Sequence, residues 1–478
     1  MNLKSSFLLG MVALGLNACT NDSDLTGDQG NGEGDPTYIT LSVSLPSMGA
    51  QRLASISGTD TRALPEDYNP DGDYEGHDAV ETLDVYMMSI ADRTVETHRF
   101  TGSQITSTGS VVSTSQPFKT TSGRKQVHIV LNSPSPLTVA APTDNELMAT
   151  AGLARMKTVS GKNYDVIMMT GSGVATIEPD ITVQEVANGA NRVSVMMTRT
   201  ASRAIVTTSA SPDIKDANGV TLGTLSNLTY SVVQGTNKIY FMSQANYVTW
   251  GFDYVPIASD YATTASTYYD YSDLSTPSAI PAKPVAADGY KELPGKFLFE
   301  NTHTLGENRA SHYKKGNTAY ILVRGKFTPI AAAIADGGAL VNGTFYVGQT
   351  DGKIYSSKSA AQTAVQNQKV SAYEKGKMLY FAWLNPDNIQ SPYNSPVLRN
   401  NIYHVNINSF ARLGMTWNPL YPEDPNTTNP ANPDPKPLNP EEPENPISPI
   451  DPLTVEHTYM TVDVSVLNWT VHSYDVDF

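Results

Sequence analysis

The last twenty residues of this chain, 459–478 (YMTVDVSVLNWTVHSYDVDF), alternate apolar and polar side chains as a β-strand does, yet a proline run cuts them off from everything before. Twelve of the 34 residues from Pro419 to Pro452 are proline. Proline has no N–H to give to a sheet and is excluded from sheet interiors. Residues 419–453 therefore read as an extended, semi-rigid linker, about 100 Å long if fully drawn out at ~3.1 Å per residue. Beyond it, 454–478 is a strand-forming segment with no domain of its own to complete. Its apolar positions are Met460, Val462, Val464 and Val466, then Leu467, Trp469 and Val471, then Tyr474, Val476 and Phe478. The change of parity between Val466 and Leu467 predicts a bulge or a change of sheet.

The same footprint stands at the other end of the chain. Residues 38–45 are YITLSVSL and residues 459–466 are YMTVDVSV. The apolar set Ile39, Leu41, Val43 and Leu45 corresponds to Met460, Val462, Val464 and Val466, and Tyr, Thr, Val and Ser recur in register. Period-2 alternation decides which side chains enter a core, so two strands with one footprint fit the same groove.

Between these ends the chain reads as all-β. Its 478 residues fit two β-rich domains plus tails. Alternating runs occur at Leu83/Val85/Met87, Val127/Ile129/Leu131, Val193/Val195/Met197 and Ile205-Val206, and later at 320–323, 379–383 and 402–407. Asn342-Gly343 and Asp351-Gly352 flank the strand 344–347 as hairpin turns would. Short helices are expected at 144–156, capped by Thr143, and at 358–366. Gly171-Ser172-Gly173 reads as a turn; it is no phosphate loop, since nothing like G-K-[ST] follows. A second domain is expected to begin near residue 200. With 47 Asp and Glu against 32 Lys and Arg, the net charge of −15 excludes nucleic acid as a partner.

Residues 1–18 read as a signal peptide: Lys4, then an apolar run from Phe7 to Leu14 that is too short to span a bilayer. It ends Leu16-Asn17-Ala18-Cys19, which resembles the lipobox of bacterial lipoproteins, although Asn17 is unusual there. That resemblance implies a cut before Cys19 and a diacylglycerol or acyl lipid on its thiol. Cys19 is the sole cysteine, so no internal disulfide forms. The acidic, Gly-rich tether 20–36 resembles the surface-export signal of Bacteroidetes lipoproteins. After the first strand, Arg52 and Arg62 are the only Lys or Arg between Cys19 and Arg93, and both lie among small or polar residues, as protease-sensitive loops do.

No catalytic residue is assigned, no metal, and no cofactor other than that lipid. Asp67, Asn69, Asp71, Asp73 and Asp78 follow the spacing of a calcium loop, but Pro70 lies inside it, position 12 is Asp, and no helices flank it. The eight histidines have no ligand spacing; His404 and His472 fall within alternating strands. Trp383, Trp417 and Trp469 read as core anchors.

GNTAYILVRGKFTP (316–329), LYFAWLNP (379–386), NSPVLRNNIYHVNI (394–407), MTWNPL (415–420) and MTVDVSVLNWTVHSYDVDF (460–478) together resemble the shaft subunit of the short (minor) fimbriae of Bacteroidales, in the Mfa/FimA-type pilin superfamily. The resemblance is weak over 50–200 and strong from about 295 onward. It implies two transthyretin-like β-sandwich domains, here 63–199 and 200–418, behind a lipidated propeptide 19–62 that carries a blocking strand at 38–45. It implies export as an outer-membrane lipoprotein, cleavage by a trypsin-like Arg-specific protease, and entry of the donor segment 454–478 into the emptied groove of the next subunit. The family's processing arginine precedes Ala, which favours Arg62-Ala63. Arg52-Leu53 is the alternative, its distance from the first strand being closer to the family's. The implied partners are identical subunits, together with fimbrial anchor and tip subunits. The implied role is structural, in a cell-surface fimbrium supporting adhesion and biofilm formation. The competing reading is a surface lipoprotein adhesin that does not polymerise, either a fimbrial tip or anchor or a glycan-binding module.

Overall fold

The computed structural model describes residues 34–45, 78–108, 111–137, 143–244, 248–251, 254–256, 268–284, 293, 295–301, 312–384, 397–416, 449–452, 467–468 and 475–477. The chain is all-β, and among the described residues its α-helices are short: Val183–Ala187, closed by a Thr182/Glu185 capping box, and Lys358–Ala364, capped by Ser357.

Two pairs of sheets each enclose a core. In the first pair, one sheet runs in the order Arg192–Met196, Pro36–Ser44, Val111–Thr114, Ile105–Thr108, with Phe118–Thr121 also paired to Pro36–Ser44. The facing sheet runs Thr198–Arg199, Met169–Ile177, Gly123–Leu131, Thr82–Ser89, Val95–Thr101. The alternating residues of both meet in one cluster: Ile39, Leu41, Val43, Val112, Val193 and Val195 against Leu83, Val85, Met87, Val127, Ile129 and Met169.

In the second pair, Lys296–Phe299, Ala201–Thr208 and Asn401–Ser409 face Asp213–Lys215, Thr221–Val233, Tyr320–Pro329 and Lys377–Trp383. Val206, Tyr403 and Val405 pack there against Tyr230, Ile321, Val323, Phe327 and Tyr380.

Three expectations are corrected. Residues 144–156 hold no helix: Leu147–Ala149 pairs with Lys238–Tyr240, and Gly152, at φ 78°, turns the chain into the strand Ala154–Val159. Helical periodicity there is overruled by a partner strand ninety residues away. Gly171-Ser172-Gly173 is not a turn but the middle of Met169–Ile177; a Cβ on Gly171 would stand 2.5 Å from the Met196 carbonyl oxygen and 2.7 Å from Met197 Sδ, so the glycine permits close approach of the two sheets. The terminal segment does find a sheet in its own chain: Leu467–Asn468 and Asp475–Asp477 pair with the edge of Asn401–Ser409 that Ala201–Thr208 leaves open.

The two sheet pairs are joined by more than the Leu147–Ala149 pairing. Between the two, Arg203 donates to Asp165 at 2.8 Å; on the second side Arg399 donates to Glu300 at 2.7 and 2.5 Å, and on the first Arg199 pairs with Asp78; all six side chains are buried. Arg399 also donates to the carbonyls of Phe241 and Tyr240, and Arg199 to Asn400 Oδ1 at 2.9 Å. A buried ion pair is costly to break from one side, because the remaining charge is stranded. Replacing Arg203 by Ala is expected to lower stability by about 3–5 kcal/mol in a denaturant titration, and the double change Arg203→Met, Asp165→Leu to recover most of that loss.

Candidate functional site

Pro36–Ser44 is an inner strand. On one side Thr40–Ser44 runs parallel to Arg192–Met196; on the other, Ser42–Ser44 pairs with Val111–Val112–Ser113 and Pro36–Ile39 pairs with Phe118–Thr121, both antiparallel. Removal of this strand would leave a slot with a wall on either side. Ile39, Leu41 and Val43 point into the core at 0% exposure, and Leu45 is half-buried against it. Tyr38, Thr40 and Ser42 are half-buried on the opposite face.

Side chains bolt the strand at its start. Thr37 is buried, and its Oγ1 accepts from the Ile181 N–H at 3.0 Å and from Asn191 Nδ2 at 3.2 Å. The Asn191 amide donates as well to the Tyr38 and Glu178 carbonyls, from a residue held at φ 46°. Asp35 N–H donates to Ser122 Oγ at 3.0 Å. The Met197 N–H donates to the Ser44 carbonyl at the far end. Asn tolerates positive φ and offers both donor and acceptor, which suits Asn191 to close a turn and hold a strand together.

The wall strand Phe118–Thr121 is fixed independently of the strand it flanks. Lys125 Nζ donates to Glu96 Oε1 at 2.7 Å and to Thr121 Oγ1 at 2.5 Å; Thr120 Oγ1 donates to Glu96 Oε2 at 2.8 Å. Burial pushes the Glu96 carboxyl up, but hydrogen bonds from His98, Lys125, Thr121 and Thr120 outweigh it and hold the group well below the usual carboxylate range. Glu96 and Lys125 belong to the facing sheet, so this cluster ties the wall to the opposite layer and keeps the slot's shape.

The remaining sequence-derived positions are placed as follows. Leu467 and Val476 pair through their backbones with Ile402 and Ile407. Asp78 is engaged by Arg199, which contributes two nitrogens to its carboxylate. Cys19, Arg52, Leu53, Arg62, Ala63, Asp67, Asn69, Asp71, Asp73, Met460, Val462, Val464, Val466, Trp469, Val471, Tyr474 and Phe478 lie outside the described residues, as do Trp417 and His472. Among the described residues no group of three or more His, Cys, Asp and Glu lies close enough to hold a metal ion. His404 is buried with Nε2 at 2.8 Å from Thr207 Oγ1, and Trp383 packs with Phe381 and Tyr320.

Residues 371–475 match the family model described as major fimbrial subunit protein type IV, fimbrillin, C-terminal. Over its full length the chain is 34% identical to one minor fimbrium subunit Mfa1 of Porphyromonas gingivalis and 33% identical to another, covering 100% of each chain.

The chain belongs to the Mfa1 family of minor fimbrium subunits.

Among solved structures, a fimbrilin of P. gingivalis is similar at TM-score 0.40 and 13% identity, over 82% of this chain and 95% of that one. The tip fimbrial protein Mfa3 of P. gingivalis, with a C-terminal truncation, is similar at TM-score 0.35 and 10% identity, over 78% and 94%. Family membership rests on the full-length identity. This fimbrial subunit thus has its leading strand in the middle of a sheet. Sequence reasoning missed the residues that hold it: Thr37, Ser122, Ile181, Asn191 and the Glu96–Lys125 pair. Only the run Asn188-Gly189-Ala190-Asn191, a turn signature, was visible as a local cue.

Truncating the inward face of the leading strand, Leu41→Ala, is expected to cost the uncleaved subunit about 2–5 kcal/mol in a urea titration, by loss of burial and the cavity left behind. The same titration on Asn191→Ala should show a loss of about 1–3 kcal/mol, since two backbone partners are stranded with it.

Proposed function

We propose that this fimbrial subunit polymerises head to tail by donor-strand exchange, its residues 454–478 entering the slot that Pro36–Ser44 of a neighbouring copy has left. The observation that carries this reading is the match between an inner strand with two fixed walls and a terminal segment of the same footprint. One further position strengthens it. The register that sets Tyr459 on Tyr38 sets Thr458 on Thr37, where the hydroxyl accepts from Ile181 and Asn191. Asp463 would replace Ser42, which lies on the half-buried face rather than in the core.

On this reading residues 1–18 are removed, Cys19 carries the lipid that anchors the precursor in the outer membrane, and a trypsin-like protease cuts after Arg62, or after Arg52. The body then consists of an N-terminal sandwich, 63–199, and a C-terminal one, 200–418, followed by the linker 419–453. Each copy offers a strand and a slot on different surfaces, and such contacts do not close, so they build a filament. The uncut leading strand fills the slot and prevents early assembly. Identical subunits are the main partners, with anchor and tip subunits at the ends, and the filament serves adhesion and biofilm formation.

Energetics allow the exchange. Burying Ile39, Leu41, Val43 and Leu45 is worth roughly 6–12 kcal/mol, and the incoming Met460, Val462, Val464 and Val466 recover about as much. Association costs an estimated ~4–15 kcal/mol. Leu467, Trp469, Val471, Tyr474, Val476 and Phe478 have no counterpart in the leading strand and supply the surplus. Within its own chain, the tail is paired through five described residues on Asn401–Ser409.

Trypsin treatment of the purified precursor is expected to produce SDS-resistant ladders and filaments visible by electron microscopy. Deletion of 454–478 should abolish both, and Arg62→Ala should slow maturation. Filaments formed by the deleted chain would refute the mechanism; normal maturation of Arg62→Ala together with failure of Arg52→Ala would move only the cut.

A further inference from the structure

The end of the proline-rich stretch does not hang free. Pro449–Pro452 lies against Lys314–Gly316: the Lys315 N–H donates to the Asp451 carbonyl at 2.9 Å, the Gly316 N–H donates to the Pro449 carbonyl at 2.9 Å, and Lys314 and Pro452 form an antiparallel bridge. Gly316 has no side chain where one would not fit. A Cβ there would stand 2.5 Å from Pro449 Cβ and 2.8 Å from its Cα and carbonyl oxygen.

The receiving loop is rigidly built. Asn317 Oδ1 accepts from the Lys314 N–H at 2.8 Å, and Asn317 Nδ2 donates to the His312 carbonyl at 2.9 Å. Thr318 Oγ1 donates to the Lys314 carbonyl at 2.9 Å. From beneath, Gln234 Nε2 donates to the Lys315 and Thr318 carbonyls at 3.1 and 2.7 Å, and Trp383 Nε1 reaches the Lys315 carbonyl at 3.3 Å. Lys315, Asn317 and Thr318 are buried, and the Lys315 ammonium stands 5.5 Å from the centre of the Trp383 ring. Burial lowers that ammonium to about 8, against the opposing pull of Asp451. Inward-facing groups are thus spent on holding the loop, while two outward N–H groups meet the carbonyls of a proline-rich strand. Such a strand has acceptors to give and few donors, which is what this surface takes.

We propose that Lys314–Gly316 is a docking clip for Pro449–Pro452, so that the tail of each copy starts from residue 453 and the proline-rich stretch before it adds nothing to its reach. The inference rests on the donor-strand reading for its consequence in assembly, but the clip itself belongs to the single subunit. The chain between Thr416 and Pro449 begins and ends on one body. Only the 26 residues 453–478 extend beyond the clip, about 85 Å at ~3.3 Å per residue, against about 200 Å for all 62 residues after Thr416. The neighbour's slot must therefore lie close to the clip, and each tail is presented from a fixed point. Fixing the origin of a tethered strand raises its effective concentration at a slot within reach.

Two experiments separate the clip from the assembly reading. In the monomeric precursor, hydrogen exchange should find the Lys315 and Gly316 amides protected, and on the order of tenfold faster in a chain ending at residue 448 and in Gly316→Ala. Equal exchange in all three chains overturns the clip, whether or not filaments form. The second experiment places Lys314→Cys and Pro452→Cys in a Cys19→Ser background, oxidises the precursor, and cleaves it with trypsin. The intrachain disulfide is expected to form, and the locked subunit to give the same ladder as the unlocked one. Failure of the disulfide to form, or a ladder that appears only after reduction, overturns the proposal. If no chain forms ladders under any condition, the donor-strand reading fails and the exchange result alone decides the clip.

Discussion

The position of Pro36–Ser44 inside its sheet is the constraint from which the rest follows. An edge strand can leave a sheet at the cost of one row of hydrogen bonds. An inner strand that buries Ile39, Leu41 and Val43 between two fixed walls leaves a dry slot with unpaired backbone on both sides. Such a slot would be unstable when empty, and only a strand of matching footprint could refill it. The walls hold their places through contacts that do not involve the strand: Phe118–Thr121 through Glu96 and Lys125, and Arg192–Met196 through Val193 and Val195, which pack on the facing sheet.

The body that carries the slot is stiffened where its two sheet pairs meet. The buried Arg203–Asp165 pair, the Arg199 bond to Asn400, the Leu147–Ala149 pairing with Lys238–Tyr240, and the cluster of Tyr86, Met148, Met168, Ile239 and Phe241 all cross that seam. Arginine suits this duty because its planar fork meets a carboxylate with two nitrogens and still has donors left, as Arg199 shows by holding Asp78 and reaching Asn400 Oδ1. In a subunit of a fimbrium, a stiff seam would resist tension without parting the sheets.

The tail end of the molecule repeats the same economy of backbone groups. Asn401–Ser409 has an open edge and draws short pieces of the terminal segment onto it, while the Lys315 and Gly316 amides take the carbonyls of Pro449 and Asp451. Proline shields an edge from further pairing on its own account, so a proline-rich strand can be held at one place without recruiting a sheet.

Much of this was legible in the sequence. Alternation alone marked Ile39, Leu41 and Val43 as one face, because side chains two apart must share a side of the pleat. In the turn pairs Asn342-Gly343 and Asp351-Gly352, Asn342 and both glycines lie at positive φ, as their chemistry allows. What the sequence could not determine was which strands become neighbours. The segment 144–156 has a helical look until Lys238–Tyr240 arrives, and Gly171 resembles a turn residue until Met196 and Met197 are packed over it. Arg203 with Asp165, and Glu96 with Lys125, carry no local signature, since the ion partners stand 38 and 29 residues apart. Periodicity is a property of a few consecutive residues and survives in one dimension; pairing across a sheet and the burial of a charge depend on residues distant in the chain, and these only the tertiary structure decided.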